Sequence, residues 1–136
     1  MALEALYQAD LTGRGPSEVL AEWEAAGRVI PRFGRELVEG VQARRSELDP
    51  MLEARARGWT LERMAVVDRN VLRLALFELL YRADVPPAVA ISEAVQAAKA
   101  LSTEDSGRFV NGILGGVARD GIGAARGPDP APAREG

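Results

Sequence analysis

The segment Val66–Tyr81, VVDRNVLRLALFELLY, constrains the fold more than any other stretch of this chain. Projected on a helix, Val67, Val71, Leu72, Leu74, Ala75, Leu76, Phe77, Leu79 and Leu80 cover almost the whole circumference. A surface helix carries one apolar stripe, whereas a helix that is apolar all round is buried among other elements. The segment is too short and too interrupted by charge to cross a bilayer. It predicts the central helix of an all-helical domain. Its polar residues Asp68, Arg69, Asn70 and Arg73 gather near the N-terminal end, where such a helix is expected to emerge at the surface.

The remaining segments supply neighbours for that helix. Leu3, Leu6, Tyr7 and Leu11 share one face of a first helix over 2–11. A second opens at Pro16 or Ser17, turns Val19, Leu20 and Trp23 inward and ends at Gly27. Pro31 starts a third, with Phe33, Leu37, Val38 and Val41 at helical spacing. Gly34 and Gly40 lie inside it, each costing about 1 kcal/mol against Ala, and mark close helix approach. Ser46 and Asp49 have the spacing of a capping box ahead of Pro50. A fourth helix therefore starts there, buries Leu48, Met51, Leu52 and Ala56, and stops at Gly58; Trp59 is expected to seal a core edge. Thr60 and a short lead-in precede the central helix, which the Pro86-Pro87 pair ends. Glu78 and Arg82 stand at i and i+4, the spacing of a helix ion pair. A helix over about 88–101 turns Ile91, Ala94, Val95, Ala98 and Leu101 inward. Ser102 or Thr103 caps the last, whose inward residues are Phe109, Val110, Ile113, Leu114 and Val117. Residues 121–136, rich in Pro and Gly without apolar period, are expected to be a disordered tail. No alternating strand pattern appears. The prediction is one all-α domain over 1–120, a bundle of about seven helices around a buried central one.

The inventory for catalysis is thin. The chain has no cysteine and no histidine, which removes thiol chemistry and the commonest general base and metal ligand. Its serines and threonines fall at caps and turns, and no Gly-rich loop follows a strand. Nothing calls for a metal or an organic cofactor, and the expectation is a protein that is not an enzyme. No apolar N-terminal run suggests a signal or anchor, so a cytoplasmic location is expected. The net charge of −3 is spread along the chain without a basic block. All basic residues but Lys99 are arginine, which suits phosphate and carboxylate partners but also follows from genome composition.

Binding residues are the better prospect. The stretch STEDSGRFVNG, 102–112, places Glu104, Asp105, Ser106, Arg108 and Phe109 at the start of the last helix. A helix N-terminus attracts anions, and an arginine beside an aromatic can hold a phosphate and stack a base. A plainer reading has Glu104 and Asp105 complementing the helix dipole and Phe109 in the core. Asp68, Arg69 and Lys99 admit the same two readings.

Three strings together resemble the NusB family of bacterial transcription antitermination factors: ALYQ near the start, ELVEGVQARRSELDPML, and VDRNVLRLALFELLYRADVPPAVAISEAVQAAKALSTEDSGRFVNGIL. The resemblance covers about residues 2–120 and implies the helical bundle read above. It also implies a protein that pairs with the ribosomal protein NusE, binds boxA-type RNA as that heterodimer, and acts on elongating RNA polymerase to support ribosomal RNA transcription. By matching motif, Tyr7 and Asp68 fall at the face for the ribosomal-protein partner. Asp105, Arg108 and Phe109 fall at the RNA face, with Arg69 and Lys99 as further RNA-binding candidates. The family's Arg-rich stretch ahead of the first helix is missing from this sequence, which opens at MALEALYQ. A shallow salt dependence of RNA binding by the chain alone is expected on that account. Two other readings stay open on sequence alone: a helical protein-interaction module or homodimer with little RNA binding of its own, and the recruiting domain of an RNA methyltransferase.

Overall fold

The computed structural model describes residues 1–120; the expected tail, 121–136, lies outside them. Six α-helices follow one another: α1 Ala2–Thr12, α2 Pro16–Ala25, α3 Arg32–Arg55, α4 Val66–Tyr81, α5 Pro87–Leu101 and α6 Glu104–Arg119. A single 3-10 turn, Leu61–Arg63, leads into α4. No strand occurs among the described residues. As the apolar circumference predicts, α4 is the axis of the bundle. It packs against α1, α3, α5 and α6, and Leu72, Leu76 and Leu79 are fully buried.

The helix count is one lower than expected because the third and fourth predicted helices are one, α3. Val38, Val41, Leu48 and Leu52 are all buried and recur at helical spacing, so the two halves share one apolar face. Asp49 caps nothing, since its carboxylate is held by Arg73 from α4. Pro50 removes one internal hydrogen bond, and the core contacts on either side of it carry the helix through. Gly40 does mark a close approach: a Cβ there would stand 2.1 Å from Cζ of Phe77. At Gly34 the added atom would meet only the flexible end of Met1.

The polar residues at the start of α4 do not emerge at the surface. Asp68, Asn70 and Arg73 are buried, and with Asp10 and Asp49 most of them form a clamp across three helices. Arg73 donates Nε and Nη2 to the two oxygens of Asp49, at 2.9 and 3.1 Å, and Nη1 to Asp10 and Asn70, both at 3.1 Å. Asp10 also accepts from Arg69 Nε and Asn70 Nδ2, both at 2.8 Å. Burial alone would raise the Asp10 carboxyl; the bonds from Arg69 and Asn70 and the charges of Arg73 and Arg69 outweigh it and hold the carboxyl below its ordinary range.

Four apolar residues expected on core-facing sides are instead exposed: Leu11, Phe33, Trp59 and Leu101. Phe33 is covered on one face by the Arg82 guanidinium, 4.9 Å from the ring centroid. Arg82 also donates to Glu36 and Asp84, tying the end of α4 to α3. Its charge pulls down on Glu78, the predicted i, i+4 partner, but burial of Glu78 dominates and, with the Glu93 charge and that of Asp84, pushes the carboxyl up to about 7. A folded-state value above the ordinary 4.5 stabilises the fold fully at low pH, and that contribution is lost as pH rises through about 7. Stability should therefore fall by on the order of 2 kcal/mol between pH 5 and pH 8. Glu78→Gln should flatten that slope and leave the variant the more stable protein at pH 8. Urea midpoints at the two pH values check this; equal slopes in both proteins would exclude Glu78 as the source.

Candidate nucleic-acid interface

The N-termini of α4 and α6 meet at one corner of the bundle. Thr103 is the N-cap of α6, its Oγ1 accepting from the Ser106 N–H at 3.0 Å. That cap turns Ser106 toward α4, where its hydroxyl donates to Asp68 Oδ2 at 2.9 Å. The other oxygen, Asp68 Oδ1, is buried and has no hydrogen-bond partner among the described residues.

Gly107 lets α5 close against this corner. A Cβ there would lie 2.4 Å from Cγ of Lys99, so the glycine makes room for the lysine's aliphatic stem to cross α6. The Lys99 ammonium ends 4.0 Å from Glu104. Arg108 and Asp105 stand exposed one turn apart and pair with each other. Phe109 is half-buried, one face against the core and the other open to a cleft of about 300 Å³. Trp59, Arg63, Asp68, Asp105 and Phe109 line that cleft.

A second cleft, of about 460 Å³, opens beside it between α1 and the facing ends of α4 and α5. Its walls are Met1, Leu3, Tyr7, Val67 and Leu101, with Glu4 at the rim. Leu101 is 61% exposed, an apolar side chain left in water at the end of a helix. The two clefts meet along α4, where Val67 belongs to one and Asp68 to the next.

The sequence candidates thus sort into three places. Asp68, Asp105 and Phe109 line one cleft, with Arg108 and Lys99 at its corner. Tyr7 stands in the other cleft, apart from Asp68. Arg69 is drawn inward: its Nε donates to Asp10 and its Nη1 to the Leu61 carbonyl at 3.2 Å, so its guanidinium braces α4 rather than facing outward with Arg108. Sequence reasoning missed Trp59, Arg63 and Leu101. The signal for the first two was the i, i+4 placement of a Trp and an Arg around the 3-10 turn, which sets Arg63 over the Trp59 ring at 5.7 Å. Leu101 carried no such signal, since its helical phase matches that of inward residues.

No helix among the described residues is long and apolar enough to cross a membrane. The NusB family profile matches residues 1–119. The transcription antitermination protein NusB of Acidothermus cellulolyticus is 47% identical over 130 residues, covering 95% of this chain and 90% of the relative. That of Saccharopolyspora erythraea is 53% identical over 125 residues, covering 90% and 83%. Among solved structures, T. maritima NusB superimposes with a TM-score of 0.80 at 34% identity, covering 92% of this chain and 90% of that one. A structure of the antitermination factors NusB and NusE in complex with dsRNA aligns with a TM-score of 0.76 at 28% identity, covering 88% and 91%. The helical bundle, the motifs of its second half and these likenesses agree: the chain belongs to the NusB family.

Proposed function

We propose that this chain is a transcription antitermination factor that holds boxA-type RNA at the α6 corner while the ribosomal protein NusE occupies the adjoining apolar groove. The observation that carries this reading is the adjacency of the two clefts. One is lined by Arg63 and Phe109, with Arg108 and Lys99 paired to the acids of the same helix start beside it; the other presents Tyr7, Val67 and the exposed Leu101. The names of the relatives support the process, and a similar structure pairs NusB with NusE and RNA. The role is binding rather than catalysis, in the cytoplasm, as part of a complex on RNA polymerase.

At the α6 corner acids and bases balance: Arg108 is paired with Asp105, and Lys99 faces Glu104. Such a surface holds RNA weakly by charge alone, which favours binding in concert with the partner. The pairing also gives Asp105 a role. Its carboxylate occupies the guanidinium that a phosphate would otherwise receive. Asp105→Asn should release Arg108 and tighten RNA binding by up to about fivefold, the worth of an exposed ion pair. Anisotropy titration of a labelled boxA-type RNA measures it; weaker or unchanged binding would remove Asp105 and its pairing from the RNA face.

A further inference from the structure

We propose that the cleft between the C-terminal ends of α3 and α6 is a phosphate site, where Arg55, Arg57 and Arg119 take the backbone of RNA running on from the α6 corner. This rests on the RNA-binding reading above and adds to it three arginines that lie outside the 102–112 stretch.

The cleft has a volume of about 440 Å³, and its walls carry three guanidiniums against one carboxylate, Asp120. Glycine makes room for them. A Cβ on Gly116 would stand 2.9 Å from Nη1 of Arg55, so the missing side chain lets that guanidinium lie across α6. Asp120 holds it there, accepting from Nη2 at 2.9 Å. Arg119 folds back over its own helix, with Nη1 3.4 Å from the place of a Gly115 Cβ and Nη2 3.8 Å from that of Gly116. Two guanidiniums therefore converge over one glycine. Like charges so placed repel each other, and an anion shared between them reverses the sign. Among the described residues, Arg55 alone of the three has a carboxylate partner.

Arg57 adds an independent signal. It follows the end of α3 with φ 37°, in the left-handed region where helices commonly terminate on glycine. An arginine there strains the backbone where glycine would not, and its side chain is what the position gains. Arg55 and Arg119 stand in the last turns of their helices and complement the dipoles, which needs no ligand. That role does not call for an arginine at the strained position.

Position decides the occupant. Gly112, in this cleft, stands about one turn past Phe109 on the same side of α6, and Arg57 stands two residues ahead of Trp59. The arginine cleft thus continues the α6 corner along the helix, which rises about 10 Å from Phe109 to Gly116. The space over Gly112 is open, so a backbone can come against the helix there. Guanidinium forks match phosphate oxygens and carry no preference for a base. Asp120 and the two helix ends, each equivalent to about half a negative charge, offset much of the arginine charge. The site therefore adds to RNA affinity rather than carrying it.

The test uses the chain in complex with its ribosomal-protein partner and labelled single-stranded RNAs, read by anisotropy: a boxA-type RNA alone, and the same RNA extended by a short run of uridines at either end. Extension at one end should tighten wild-type binding about fivefold. The double variant Arg57→Gln with Arg119→Gln should lose that gain and bind the unextended RNA as wild type does. Its log–log salt slope on the extended RNA should be shallower by about 1.4, the worth of two phosphates. Uncharged methylphosphonate linkages in the extension should remove the gain from wild type and change nothing in the variant. Arg57→Gly should melt no lower than wild type and still lose part of the gain, which separates the charge from folding. Four results would overturn the site. If boxA binds but neither extension tightens it, the RNA face stands and this cleft lies off the path. If the uncharged extension tightens binding as much as the charged one, the cleft takes no phosphate. If the double variant weakens the partner in the absence of RNA, the cleft holds an acidic protein segment. If the wild-type complex binds no RNA at all, the RNA reading fails and the site with it.

Discussion

Arg73→Met is expected to destabilise the protein by about 3 kcal/mol or more, the cost of removing one partner from a buried charge network. Arg73 is 4% exposed and makes four hydrogen bonds, two to Asp49 on α3, one to Asp10 on α1 and one to Asn70 beside it. Methionine fills the volume of the stem but offers no donor. Asp49 then keeps only the half-exposed Arg45, and Asp10 keeps Arg69 and Asn70. Asp49 loses both bonds of its bidentate partner, and Asp10 loses one of its guanidinium partners. At this size the loss should lower Tm by about 10 °C or more. The comparison is Arg32→Met, which removes an exposed i, i+4 pair with Glu36 and should change stability by less than about 0.5 kcal/mol. Urea denaturation of both variants measures the difference. A loss below about 1 kcal/mol at Arg73 would mean that the clamp is dispensable.

The largest functional effect should come from Leu101→Asp. Leu101 ends α5 at the edge of the groove that holds Tyr7 and Val67. Because it is exposed in the free chain, a carboxylate there costs the fold little. In a complex that covers the groove, the same carboxylate would be desolvated without a partner. Loss of an apolar anchor buried in an interface costs about 2 kcal/mol or more, roughly thirtyfold in affinity, and a buried charge adds to it. Calorimetry against the ribosomal-protein partner should show at least that loss, with the melting curve unchanged. Val89→Asp is the control, an exposed apolar position near the opposite end of α5. Equal affinity of wild type and Leu101→Asp would place the partner on another face.

These two residues also show how far a single sequence carries. The central helix was legible because nine apolar residues around one helix admit no surface position, whatever surrounds them. The cap at Thr103 was legible because its signal is local: a hydroxyl three residues before the N–H it accepts from. The clamp was not. Asp10 and Arg73 lie 63 residues apart in sequence, and nothing in periodicity separates a buried arginine with two carboxylate partners from one at a helix end in water. The same limit hid the true fate of Arg69. The merged α3 failed for the opposite reason, since Ser46, Asp49 and Pro50 gave a local start signal that tertiary packing overrode. Trp59 failed because a lone aromatic after a turn has the same pattern whether it closes a core or walls a cleft.

On the function proposed above, RNA and the ribosomal protein are held together, on adjoining clefts of one small bundle. The most direct measurement is titration of a boxA-type RNA and a scrambled RNA, each with and without the partner, at two salt concentrations. Binding of boxA far tighter with the partner present than without it, and tighter than the scrambled RNA at both salt concentrations, is the predicted result. Partner binding with no RNA affinity in any arm would contradict it and leave a protein-interaction module.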